Sequence, residues 1–225
     1  KLKNIIIIFA TTYVSAYCAK PIVGGHALYI VDKVTIDSSC FIQAIILALF
    51  VTPFAIIFGY FAKKASSHRI TGKEILWTLP FAFLILGGLS AYLPIFMGNG
   101  QVLAQWIFSG NSSAYLPVIL IIKCLLVCLL LRRGAYGGTL TPSFALGVGT
   151  GYLVTVLLEN FGFSHSLSLG MLLGATVFLG TTLDAPLTGI ALVVGFTGTG
   201  GVIVFPLILA SILSRIINNK WKERV

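Results

Sequence analysis

Charge is what this sequence has least of. Of its 225 residues only 9% are charged and 57% are hydrophobic, whereas a soluble domain carries about 25% charged residues. The mean hydropathy is +1.01. The acidic residues are six in number, Asp32, Asp37, Glu74, Glu159, Asp184 and Glu223, too few to solvate a water-exposed surface. A soluble globular domain is excluded, and the chain reads as an integral membrane protein seated in the lipid bilayer. The net charge of +9 does not indicate nucleic-acid binding, because the lysines and arginines fall between apolar runs. That is the distribution of cytoplasmic loops.

Groups that carry chemistry are equally sparse. His26, His68 and His165 are scattered without ligand spacing, so no metal is expected. Cys124 and Cys128 share a helix face, but neither they nor Cys18 and Cys40 have metal-binding spacing around them. They read as inert thiols. No nucleophile–base pair and no His/Asp cluster sits on the apolar runs, so an intramembrane enzyme is not expected.

What the sequence does have is a series of apolar runs of unequal length, where a bilayer crossing takes about 20 residues. Residues 4–17 form a short, lysine-flanked run. Residues 1–19 also have the shape of a signal peptide, with small residues at Ala16 and Ala19, although an ordinary membrane helix fits better in a chain with so many further apolar runs. The numbering opens at Lys1 with no initiator methionine, as in a piece of a longer chain or a trimmed one. Residues 20–37, with Pro21, Gly24 and Gly25, read as a loop or a tilted short helix. Residues 38–62 span, with a kink expected at Pro53.

Residues 63–74 carry Lys63, Lys64, His68, Arg69 and Lys73, the strongest cytoplasmic-loop signal in the chain. Residues 75–97 form another span, interrupted by Pro80, Gly87–Gly88 and Pro94. Residues 98–113 are too short and polar to cross, and are expected as an external loop or re-entrant helix. Residues 114–131 span, with Lys123 in their middle. A polar loop is expected at 159–166, a hairpin of short apolar segments at 167–183 and 185–198, and a last segment at 201–217. The basic tail is 218–225, and counting crossings returns it to the side of the 63–74 loop, which makes both cytoplasmic. The whole of 1–225 is expected as one transmembrane domain. Broken segments of varied length are tolerated at membrane depth only where they are buried in protein or line a cavity, so the pattern favours a transporter or channel.

The chain is organised around residues 134–151, GAYGGTLTPSFALGVGTG. Its first part, 134–142, is expected to be a re-entrant glycine-rich loop. Pro142 suits the first turn of a helix, where its missing N–H has no partner to lose, and the glycines let bare amides approach a ligand. A helix that starts at membrane depth aims unpaired N–H groups and a partial positive charge into a low-dielectric space, which favours an anion. A tight loop between two ordinary spans accounts for the same residues, and on this stretch alone both readings stand. Gly147, Gly151, Gly170 and Gly174 have small-xxx-small spacing, read as close helix packing.

GAYGGTLTPSFALG resembles the GxFxP region of the CLC chloride channel and Cl−/H+ antiporter family, and GATVFLGTTLDAPLTGIALVVGFTG resembles that family's later APLTxI segment. Both occur in the family's order and at its spacing, and the likeness runs from about Val31 to the C-terminus. It implies an all-α polytopic membrane protein of tilted, broken helices, here the second of two inverted repeats. It also implies anion transport with chloride as the ligand, no other cofactor, and a bacterial plasma-membrane location. A homodimer through 185–217 is implied by the same likeness. The first-half motifs GSGIP and GK/REGP are not in this sequence, and no tyrosine follows Tyr152. A complementary N-terminal half is therefore a further expected partner. A half that does not conduct alone and a transporter for another anion such as fluoride remain alternatives.

By motif position, the resemblance places the backbone amides of Thr139 and Leu140 against the anion, with Pro142 opening the helix, Gly137 and Gly138 setting the turn, and Thr141 beside them. Leu140 stands where the family commonly has phenylalanine, Gly195 where many members have glutamate, and Asp184 where a basic residue is common. Lys123 falls where the family has a basic residue, and its burial costs about 2.5–3.5 kcal/mol on insertion scales. It either raises the anion potential or pairs with a helix carboxyl end. Arg132 and Arg133 either draw anions to the inner mouth or simply anchor the helix. Asp184 is the one proton-relay candidate, although an N-cap ahead of Ala185–Pro186 explains it with less effort. Thr139, Thr141 and Ser143 also offer hydroxyls.

Overall fold

A computed structural model describes residues 7, 10, 11, 13–15, 17, 18, 21, 24, 26–34, 36, 37, 39–111, 114–161 and 166–223. From Ser39 onward these form eight α-helices: α1 (Ser39–Ser67), α2 (Ile75–Tyr92), α3 (Gln101–Phe108), α4 (Leu116–Arg132), α5 (Leu140–Asn160), α6 (Leu167–Thr182), α7 (Pro186–Thr197) and α8 (Val204–Lys222). No strand occurs among the described residues. Ahead of them, those described between 7 and 21 are helical and exposed. The rest of the 4–17 stretch, residues 162–165 of the expected polar loop and residues 224–225 of the tail lie outside the described residues. Four described helical stretches are long and apolar enough to cross a membrane: Ser39–Ser67, Gly72–Tyr92, Leu140–Asn160 and Gly201–Lys222.

Helix α6 is the hub. Its sequence LSLGMLLGATVFLGTT has no charge and no polar face, and a helix that is apolar all round belongs inside. It is buried from Ser168 to Thr181 and packs against α1, α5, α7 and α8. The α5–α6 crossing is backbone on backbone: a Cβ added at Gly147 would lie 2.6 Å from the Cα of Ala175 and 2.8 Å from the Gly174 carbonyl oxygen. Small residues permit that approach, and in lipid this packing replaces the missing hydrophobic drive between helices. Gln43 of α1 ties the crossing together, its Nε2 donating to Thr155 Oγ1 at 3.3 Å and to the Ser166 carbonyl at 3.0 Å. The Ser166 hydroxyl in turn accepts from the Leu169 amide and caps α6.

Three local expectations are revised. Helix α1 continues past residue 62 through Lys63 and Lys64 to Ser67, so the first part of the basic loop is a helix end, where cations offset the macrodipole. Helix α2 runs unbroken through Pro80 and Gly87–Gly88, since membrane helices re-satisfy a carbonyl freed by proline locally. The break comes at Leu93, with φ −130° and ψ 88°, just before Pro94, which disfavours helix in the residue ahead of it. Residues 24, 26–34, 36 and 37 are non-helical, which settles the loop-or-helix choice there as far as they are described. This segment lies over α3 and α7: Gln105 exchanges two hydrogen bonds with the backbone of Ile30, and the Tyr29 amide donates to the Phe196 carbonyl at 2.9 Å. Tyr29 is fully buried, stacked on Phe144 with ring centroids 4.6 Å apart.

Candidate functional site

Between α4 and α5 the chain leaves the helix and re-enters it within eight residues. Helix α4 closes with the amides of Arg133 and Ala135 donating to the carbonyls of Leu129 and Leu130. Gly134 then takes φ +106°, a left-handed conformation that glycine adopts without steric cost. A Cβ there would also strike Ile75, with Cγ1 2.5 Å away. Gly134 sets this turn. Gly137 and Gly138, expected to set it, have no positive φ.

Helix α5 starts at Leu140 with Thr139 as its N-cap, and the first bond drawn from outside the helix is Ser143 N–H to the Thr139 carbonyl at 2.9 Å. Among the described residues, no acceptor is paired with the amides of Gly137, Gly138, Thr139, Leu140 or Thr141. Pro142, buried in the first turn, has no amide to satisfy. Unpaired N–H groups and the positive end of a helix dipole both favour negative charge near such a helix start. The space over them is open: a Cβ at Gly137 would meet nothing within 4 Å, and one at Gly138 only the Leu140 nitrogen at 4.0 Å.

That space is an open cavity of about 910 Å³ in which Gly137, Gly138 and Thr139 form one wall. Lys63 and Ser66 at the end of α1, and Asn218 and Lys222 at the end of α8, line it as well. The two lysines thus share one mouth, although they are far apart in sequence. In the sequence both are only members of basic segments, and their convergence has no local signal.

The charged candidates separate in space. Lys123 is 2% exposed, and its Nζ donates to the carbonyls of Phe96 and Gly98, each at 2.9 Å. It neutralises the carboxyl end of the 3₁₀ turn Pro94–Phe96 and is not part of the cavity wall, in line with the helix-end pairing. Arg132 is exposed and Arg133 half-buried, and neither lines the cavity. The Arg132 carbonyl instead accepts the Ile70 amide at 2.9 Å. Asp184 does line the cavity, and the N-cap reading of it is corrected: the N-cap of α7 is Ala185, with no side-chain cap bond. Asp184 has φ +54°, and its carboxylate pairs with Lys222 Nζ at 2.8 Å across the cavity rim. Leu140 and Thr141 are half-buried beside the amides, whereas Ser143 is buried beneath. Among the described residues, no group of His, Cys, Asp and Glu could hold a metal ion.

Fold and site together define an integral membrane protein of unequal, partly re-entrant helices, with one helix start facing a lysine-rimmed cavity. The chain belongs to the voltage-gated chloride channel family, whose family model matches residues 1–219. It is 29% identical over 167 residues to the H(+)/Cl(-) exchange transporter ClcA of Vibrio cholerae, covering 71% of this chain and 36% of that protein. It is 27% identical over 154 residues to the voltage-gated ClC-type chloride channel ClcB of Escherichia coli, covering 63% of this chain and 35% of that protein. The fold resembles the crystal structure of a CLC-type fluoride/proton antiporter, with a TM-score of 0.69 and 18% identity, covering 91% of this chain and 51% of that one. The chain therefore spans about a third of the length of the curated relatives it matches.

Proposed function

We propose that this chain carries the helix-end half of a CLC-type anion pathway, with chloride the default ion, held by the backbone amides of residues 137–141 rather than by a full positive charge. The observation that carries the reading is the run of unpaired amides at the start of α5, open to a cavity. Amide dipoles offset part of an ion's dehydration and keep binding weak enough for the ion to leave again. Lys63 and Lys222 raise the anion concentration at the mouth. Both lie at the cytoplasmic face in this reading, which puts the C-terminus inside and the protein in a bacterial plasma membrane. Exchange against protons follows the relatives named as exchangers, with Asp184 the acid nearest the path. A homodimer forms through 185–217, and a complementary N-terminal half supplies the rest of the anion cage.

The test is anion efflux from liposomes holding the purified chain, with internal pH recorded, beside the variants Gly138→Val and Leu140→Pro. The first fills the open space over the amides and the second removes one N–H at a position where proline fits. Each is expected to weaken chloride binding at least about tenfold, about 1.4 kcal/mol, with helicity unchanged. Unchanged flux and affinity in both would refute the amide site. Efflux with opposed proton movement identifies an exchanger, and efflux without it a channel. No efflux until upstream sequence is co-reconstituted would show that the complementary half is required. Fluoride and nitrate in place of chloride rank the anions.

A further inference from the structure

The amides of the candidate site sit on a segment with little to hold it. Between Ala135, whose amide is bonded to Leu130, and the N-cap Thr139 the chain runs Tyr136–Gly137–Gly138. All three residues are exposed, and a Cβ on either glycine would meet no other segment of the chain within 4 Å. Two consecutive glycines have the widest conformational freedom the chain can offer, so these amides would not stay aligned by themselves.

One side chain does tether the segment. The ring of Tyr136 lies against the guanidinium of Arg69, with the Arg69 Cζ 4.2 Å from the ring centroid. Arg69 is itself fixed: its Nη2 donates to Ser66 Oγ at 3.1 Å, and Ser66 is part of the cavity wall. Its Nε is buried with no hydrogen-bond partner, and a desolvated cation gains more from a ring quadrupole than an exposed one does. Immediately after Arg69, the Ile70 amide bonds to the Arg132 carbonyl and the Ile70 carbonyl lies 3.3 Å from the Cβ position of Gly134. The segment after α1 is thus docked against residues 132, 134 and 136.

We infer that Arg69 and Tyr136 form a latch that preorders the amides of residues 137–141, making Arg69 a positioning residue for the anion through Tyr136. The inference rests on the amide-site reading above. The cation acts on the loop and does not itself touch the ion. The ring needs only its aromatic face, so the hydroxyl is dispensable.

Backbone 15N relaxation order parameters at residues 137–141, measured on the purified chain in detergent without chloride, test the latch apart from binding, because they report fast backbone motion directly. Chloride titration calorimetry and liposome flux then test its consequence. Tyr136 is 83% exposed, so substitutions there leave the core intact if Arg69 variants fold poorly. Tyr136→Leu and Arg69→Gln are expected to lower the order parameters at 137–141 but not in the interior of α5. They are expected to raise the chloride dissociation constant roughly 2- to 5-fold and to leave maximal flux nearly unchanged, whereas Tyr136→Phe behaves as the parent. Unchanged order parameters in both variants overturn the inference. So does a Tyr136→Phe variant as impaired as Tyr136→Leu, or an Arg69→Gln effect on affinity that Tyr136→Leu fails to reproduce, since Arg69 would then act on the ion directly. Lower order parameters with unaltered affinity, where Gly138→Val weakens binding, overturn the positioning role. If Gly138→Val also leaves affinity unchanged, the amide site fails and not the tether.

Discussion

Gly174 of α6 meets Gly151 of α5 with no room for a side chain on either: a Cβ on Gly174 would stand 2.5 Å from the Gly151 Cα and 2.8 Å from its nitrogen. The obstruction is helix backbone, which cannot move aside as the end of a flexible side chain can. Overpacking a well-fitted core costs about 1–3 kcal/mol, and here the neighbours are less yielding than in such cores. Gly174→Ala is expected to reach at least the upper part of that range and to lower the melting temperature in detergent. An unchanged melting temperature would show that α5 and α6 do not cross at this distance. Gly195, where a Cβ would meet nothing within 4 Å, is the control, and its alanine variant is expected to melt as the parent does.

Lys123 holds two backbone carbonyls inside the protein. Lys123→Met keeps the volume but leaves both acceptors unpaired, at about 1–3 kcal/mol for a buried orphan, partly offset because a buried charge is also removed. The damage is expected at the turn Pro94–Phe96 and at α3. Hydrogen exchange should quicken over residues 96–108 while chloride affinity stays at the parent value. Weaker chloride binding with unchanged exchange at 96–108 would tie Lys123 to the anion loop instead.

The Asp184–Lys222 pair is 51–65% exposed on its two side chains, and an exposed pair contributes about 0–1 kcal/mol. Asp184→Asn should therefore change stability little, because asparagine tolerates the left-handed backbone that Asp184 adopts. It does unmask Lys222 at the cavity rim. Anion uptake is expected to rise in low salt and to return to the parent value near physiological ionic strength, where the screening length is about 8 Å. A loss of uptake at every salt concentration would point instead to a direct part for Asp184, such as proton transfer.

Leu187, Ile208, Ile212 and Ile216 lie along a groove of about 430 Å³ between α7 and α8, with Leu187 77% and Ile212 53% exposed. If 185–217 is a self-interface, Ile212→Glu places a charge in it and is expected to yield a monomer by light scattering in detergent, with helicity retained. A dimer of unchanged mass would exclude this face.

Much of the architecture was legible because membrane segments announce themselves locally. Apolar runs at 38–62, 75–97 and 201–217 correspond to helices because lipid obliges the backbone to satisfy its own hydrogen bonds. Glycine spacing at 147, 151, 170 and 174 foretold a close crossing because helix geometry places residues four apart on one face. A helix break after Arg133 and a restart near Pro142 were likewise written in the glycines and the proline, although the helix starts two residues earlier, at Leu140.

Relations between distant segments were decided only in three dimensions. That Lys63 and Lys222 rim one cavity, that Arg69 lies on Tyr136, that Asp184 turns to Lys222 instead of capping α7, and that Gly134 rather than Gly137 or Gly138 takes the left-handed turn are relations between segments that the local sequence does not signal. The sequence by itself determined the solvent this protein folds in, most of its helices and the stretch where one helix ends and the next begins at 134–142, because those are set by short-range backbone and hydrophobic rules. Which charges surround that stretch is set by contacts between residues tens to more than a hundred positions apart, and only the packed tertiary structure brings them together.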